Sequence, residues 1–117
     1  FEAALKADPR NFEALANASV AAVDVGEAQS GAARNALYAK GEQYARQAVA
    51  VRPTSAEAHF ALARAIGRKA QTLGARERVK FAGDVRTHAL EALRLDPQHA
   101  GALHVLGMWN AEVMRLS

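Results

Sequence analysis

The chain has no cysteine among its 117 residues. That excludes disulfides and thiolate metal sites and leaves the redox compartment unspecified. Aromatic residues make up only 6%, too few for the stacking platforms that single-stranded nucleic acid requires. No apolar run approaches the roughly 18 residues of a membrane span. No apolar/polar alternation suggests a strand. Neither charge sign dominates: the net charge is +3, a mildly basic balance that accommodates an acidic partner without demanding nucleic acid. What is abundant is alanine, the best helix former, within a 50% hydrophobic composition. This length supports one modest domain with a real core. The chain starts without Met, inside what reads as a helix over residues 1–7, and is expected to be a fragment of a longer protein.

Proline is scarce as well as informative. The three prolines are Pro9, Pro53 and Pro97, 44 residues apart each time. At that offset Ala4, Ala48 and Ala92 superpose, as do Ala14, Ala58 and Ala102. Leu5, Val49 and Leu93 keep one apolar slot, and Ser19, Ala63 and Gly107 keep one small slot. A fixed period with chemically matched positions is the signature of a repeat architecture.

Each unit divides into two helices. The first is predicted over 12–28, 56–73 and 100–116, the second over 33–51 and 77–95. Phe81, Val85, His88, Ala92 and Leu95 recur at spacings of four, three, four and three, so they share one face. Leu37, Gly41, Tyr44, Ala48 and Val51 form the matching face of 33–51, and Leu62, Ile66, Ala70 and Leu73 do the same for the middle unit. Proline lacks a backbone donor and disfavours helix in the residue before it, so Asp8-Pro9, Arg52-Pro53 and Asp96-Pro97 end helices. Asn11 and Ser55 are candidate caps, Thr54 and Glu57 have capping-box spacing, and Gly31 and Gly74 mark the turns within hairpins. The expectation is an all-α fold over 1–117, a right-handed solenoid of about two and a half long helical hairpins with a 44-residue period.

The segment Asp96-Pro97-Gln98-His99-Ala100-Gly101-Ala102-Leu103-His104-Val105-Leu106-Gly107 resembles the turn and first helix of a tetratricopeptide (TPR) repeat. The stretch from Arg52-Pro53 to Ala63 repeats the pattern, and that from Asp8-Pro9 to Ser19 repeats it more loosely, with Ala18 where Leu is expected. The usual unit is about 34 residues; here the extra residues fall in 30–43 and 74–87. Long-helix repeats with Ala58-His59 after the proline, and with the closing run LDPQHAGALHVLGMW, are similar to the regulator of microtubule dynamics family and its bacterial relatives. The Ala- and Arg-rich composition is bacterial in character, so microtubules are not the expected partner.

The resemblance implies a concave surface lined by the first helices. Its groove positions would be Glu13, Ala16, Val20 and Asp24 in one unit, then Glu57, Phe60, Arg64 and Arg68, then Gly101, His104, Met108 and Glu112. Some TPR domains grip C-terminal carboxylates with a polar clamp; Ala16, Val20 and Val105 stand at its places here, so no such clamp is expected.

Single residues invite sharper chemistry but do not carry it. His99 and His104 are five apart, whereas ligands facing one way on a helix are three or four apart. No HExxH run is present, so no metal and no cofactor are expected. His99 falls where an N-cap belongs, His59 occupies a packing slot, and His88 reads as a core histidine with one hydrogen-bond partner. Trp109 reads as a packing residue serving a following helix, which leaves the face of 100–116 partly bare and open to self-association. Between Arg64 and His88 seven basic residues, Arg64, Arg68, Lys69, Arg76, Arg78, Lys80 and Arg86, face Glu77 and Asp84. That patch is a solvated face or a dock for an acidic peptide or anionic lipid headgroups.

No nucleophile elbow, phosphate loop or carboxylate cluster is present. The expected function is therefore a non-enzymatic scaffold that binds a protein or peptide in its groove. The alternative is a module that binds or transfers lipid or another apolar ligand, because some members of the similar family have been linked to lipid handling at membrane contacts.

Overall fold

Prolines and caps set the helix ends where the sequence places them. A computed structural model describes residues 12–116, apart from the side chains of Glu112, Arg115 and Leu116. Among these residues there are five helices and no strand: α1 (Phe12–Glu27), α2 (Gly31–Val51), α3 (Ala56–Gln71), α4 (Ala75–Leu95) and α5 (Ala100–Leu116). The expected stop at Asp8-Pro9 and the cap at Asn11 lie outside the described residues.

Helices α2 and α4 end alike. Arg52 N–H donates to Ala48 O at 2.9 Å and Asp96 N–H to Ala92 O at 2.8 Å. Each then turns to extended backbone, with φ/ψ of −140°/82° and −143°/92°, as a residue before proline must. Ser55 caps α3, its Oγ accepting from Ala58 N–H at 3.2 Å. The Thr54–Glu57 capping box is therefore corrected: Ser55, one residue later, holds the cap position. His99 caps α5, with Nδ1 accepting from Ala102 N–H at 3.1 Å. Gly31 opens α2 at φ 61°, the one positive φ among the described residues.

Alanine dominates the helix interfaces. Ala18 on α1, Ala45 and Ala48 on α2, Ala58, Ala63 and Ala65 on α3, Ala89 and Ala92 on α4, and Ala102 on α5 have no exposed surface. Small side chains let helix axes approach closely, and a few large residues fill what remains: Leu15, Val23, Leu62, Val85 and Trp109. Two glycines make room for neighbours. A Cβ at Gly26 would stand 2.9 Å from the Tyr38 ring, and one at Gly41 would stand 2.7 Å from Val23 Cγ2. Ser19 is buried beside them and donates its hydroxyl to Gly41 O at 2.8 Å, so this polar group is satisfied. Leu73, expected on the buried face of the middle unit, lies past the end of α3 and is 36% exposed.

The pattern of neighbours sets the shape. Consecutive helices pack as pairs, α1 also touches α3, and α3 also touches α5. The backbones of α2 and α4 stay farther apart than those of any of these pairs. The odd-numbered helices thus lie side by side on one face, while the even-numbered ones splay apart on the other.

Candidate binding groove

The face formed by α1, α3 and α5 carries two clefts. The first, between α1 and α3, has a volume of about 230 Å³ and is lined by Glu13, Ala16, Val20 and Glu57, with Phe12 and Ala61. The second, between α3 and α5, is smaller, about 80 Å³, and is lined by Phe60, Arg64, Arg68, Gly101, His104 and Met108 over a floor of Gly67, Val105 and Trp109. Of the expected groove residues, Asp24 lies off both clefts and is paired with Arg64 of the second. The Glu112 side chain lies outside the described residues.

Glycines shape the second cleft. A Cβ at Gly101 would come within 2.7 Å of the Phe60 ring, and one at Gly67 within 2.7 Å of Trp109 Nε1. Phe60 therefore lies over Gly101 and also against the His99 imidazole, ring centroids 4.8 Å apart. Trp109 is only 2% exposed and belongs to the core cluster with Leu62, Ile66, Val85 and Val105. The expectation that it awaits a further helix is thus corrected: Gly67 on α3 admits the indole, and helices of the described chain bury it. What stays open on α5 is the side bearing Met114, 79% exposed. There Val79, Ala82, Gly83 and Arg86 of α4 and Asn110, Val113 and Met114 of α5 border a hollow of about 530 Å³.

The arginines at the groove already have partners. Arg64 Nη2 bonds Asp24 Oδ1 at 2.5 Å and lies 3.4 Å from Glu27 Oε1; Arg68 Nε lies 2.8 Å from the same Glu27 oxygen. Two cations on α3 thus face two carboxylates on α1. Lys69 is likewise paired with Glu42 at 3.2 Å, and Glu42 with Arg46 at 2.9 Å. The basic run seen in the sequence is therefore partly neutralised at its α3 end, while Arg76, Lys80 and Arg86 of α4 remain exposed.

Two nitrogens facing this region have no hydrogen-bond partner although they are buried, Arg64 Nη1 and Trp109 Nε1. No residue pattern pointed to them directly. A glycine inside a helix, Gly67, is the one signal that could have pointed to a close approach at this spot.

The histidines divide by environment. His104 is exposed at the second cleft. His99 bridges two helix starts, its Nε2 at 2.6 Å from Glu57 Oε1. His59 is buried, with Nε2 at 2.8 Å from Pro53 O and Nδ1 at 3.3 Å from His88 Nδ1. Since a carbonyl only accepts, His59 carries its proton on Nε2, and its Nδ1 accepts from the Nδ1–H of His88. Burial holds the His88 pKa below the ordinary 6.5, helped by the adjacent His59 and by Arg46 and opposed by Asp84 and Glu91. Among the described residues no three His, Asp or Glu side chains are grouped to hold a metal ion, and no helix is long and apolar enough to cross a membrane.

The family model described as regulator of microtubule dynamics protein 1-3 matches residues 1–117, the whole chain. The chain belongs to this family. No curated protein matches it. Within the regulator of microtubule dynamics family, this chain is thus a helical member whose odd-numbered helices share one face and whose groove arginines are tied across to α1.

Proposed function

We propose that this family member is a right-handed solenoid of TPR-like hairpins, repeating every 44 residues, whose inner face binds an extended segment of a protein partner. The reading rests on one observation above all: α1, α3 and α5 adjoin in turn while the backbones of α2 and α4 stay farther apart. A layer of helices with that asymmetry curves toward its odd-numbered members, as stacked hairpin repeats do. Two clefts along the inner side, bordered by Val20 and Glu57 and then by Phe60, His104 and Met108, supply alternating apolar and polar contacts of the kind a peptide uses. The test is site-specific photo-crosslinking from Val20 and from His104, with Leu90 on α4 as the exposed control. The same partner segment should be captured at both groove positions and not at Leu90. Equal capture at all three sites, or none in the groove, removes the assignment.

A second reading, a carrier of lipid or another apolar ligand, is favoured by the hollow between α4 and α5. Its volume of about 530 Å³ and its Val79, Ala82, Trp109 and Val113 lining fall in the range of small-molecule sites. Native mass spectrometry distinguishes the two readings, because a carrier retains apolar ligand on purification and a peptide scaffold does not.

A further inference from the structure

We propose that the cleft between α3 and α5 is an anchor pocket for one uncharged apolar residue of the partner segment, seated by its side chain and by its own carbonyl oxygen. The inference rests on the groove reading and specifies what the groove selects.

Three observations combine. The first is size. About 80 Å³ is several times the ~10–15 Å³ that a single water needs and well below the ~300 Å³ where drug-sized sites begin. It suits one side chain. The second is the wall: Phe60, Val105, Met108 and the Trp109 indole are apolar, and Met108 adapts readily to an occupant. The third is hydrogen bonding. Arg64 Nη1 and Trp109 Nε1 are donors buried without an acceptor, a state that costs free energy until an acceptor arrives. Gly67 stands where a Cβ would be 2.7 Å from that indole nitrogen, so only a glycine there keeps the nitrogen edge clear of an α3 side chain.

Charge decides what kind of acceptor fits. Arg64 and Arg68 face Asp24 and Glu27, two cations against two carboxylates. A further carboxylate brought into this cleft would be buried with no cation left to pair it. A neutral carbonyl satisfies a donor without that penalty. The groove therefore selects for an apolar residue in an uncharged stretch, contrary to the acidic partner that the basic run suggests.

Trp109 is the only tryptophan, so its indole N–H gives one resolved signal in an ¹⁵N correlation spectrum. The protein is titrated with N-acetyl-leucinamide, with N-acetyl-glycinamide, and with the α-amide of N-acetyl-glutamate. The leucine amide should move the indole signal in a saturable way, equally at low and high salt. The glycine amide should move it much less, and the glutamate derivative no more than the glycine one. Gly67→Ala, which fills the floor beside the indole, should abolish the shift. Should that variant fail to fold, Arg64→Leu carries the test, with about a tenfold loss of affinity expected from one missing hydrogen bond. No shift with the leucine amide overturns the proposal, and so does a larger shift with the glutamate derivative. Crosslinking from Val20 and His104 that persists in either case leaves the groove reading standing, so the two failures are distinguishable.

Discussion

Glu57 and His99, 42 residues apart, are joined by a 2.6 Å hydrogen bond between Oε1 and Nε2. The other nitrogen of His99 meanwhile caps α5 through Ala102 N–H. One imidazole thus terminates its own helix and ties that start to the first turn of α3. His99→Ala removes both contacts and should cost about 1–2 kcal/mol in chemical denaturation, in the range of a lost N-cap. His99→Asn, which can still cap, should recover most of it. Glu57→Ala should cost less than about 1 kcal/mol, because its carboxylate is largely solvated.

The glycines predict effects of opposite sign. Gly67→Ala drives a methyl group into the Trp109 indole and should destabilise by about 1–3 kcal/mol, the usual cost of overpacking. Gly83 in α4 and Gly107 in α5 have open space where a Cβ would go. Alanine at either should stabilise by about 0.5–1 kcal/mol, since glycine inside a helix loses more entropy on folding. Thermal melts of the three variants give the comparison directly.

Acid should loosen the contact between α3 and α4. Burial and the neighbouring His59 lower the His88 pKa in the folded chain, so below pH 6.5 the unfolded chain binds more protons than the folded one at this site. Stability therefore falls as pH drops through 6.5 and this contribution levels off below the depressed folded value. In His88→Gln the melting temperature should vary less between pH 7 and pH 5 than in the parent.

The pairs linking α1 to α3 are half-solvated, with side-chain exposures of 19% for Arg64 and 57% for Asp24. Their contribution to stability should be small. A double-mutant cycle between Asp24 and Arg64 is expected to give a coupling below about 1 kcal/mol, shrinking further as salt is raised. A coupling that is large and insensitive to salt would contradict this picture.

Much of the helical layout was legible because its causes are local. Pro53 and Pro97 stop helices by their own covalent geometry, Ser55 caps three residues ahead, and the faces holding Val85 and Ala92 follow from helical spacing. Pairings across the fold were not legible for a matching reason. The hydrogen bond between His59 and His88 joins two positions that each looked like ordinary packing slots. The partners of Arg64 and Arg68 lie 37 to 41 residues upstream, so only the relative placement of α1 and α3 brings them together. Trp109 was readable as a packing residue, but what packs it depends on a missing side chain at Gly67. Spacing in the sequence places an absence poorly.

Helix α3 touches all four of the other described helices, and its buried residues, from Ala61, Ala58 and Leu62 round to Ala63 and Gly67, cover about two-thirds of its circumference. A segment so enclosed should be the last to open. Its interior amides are expected to exchange with deuterium only through global unfolding, whereas those of α1 and α5 open through smaller fluctuations. Protection should accordingly fall off from the middle of the described chain in both directions, and the groove's two flanks would be able to breathe about a spine that stays closed.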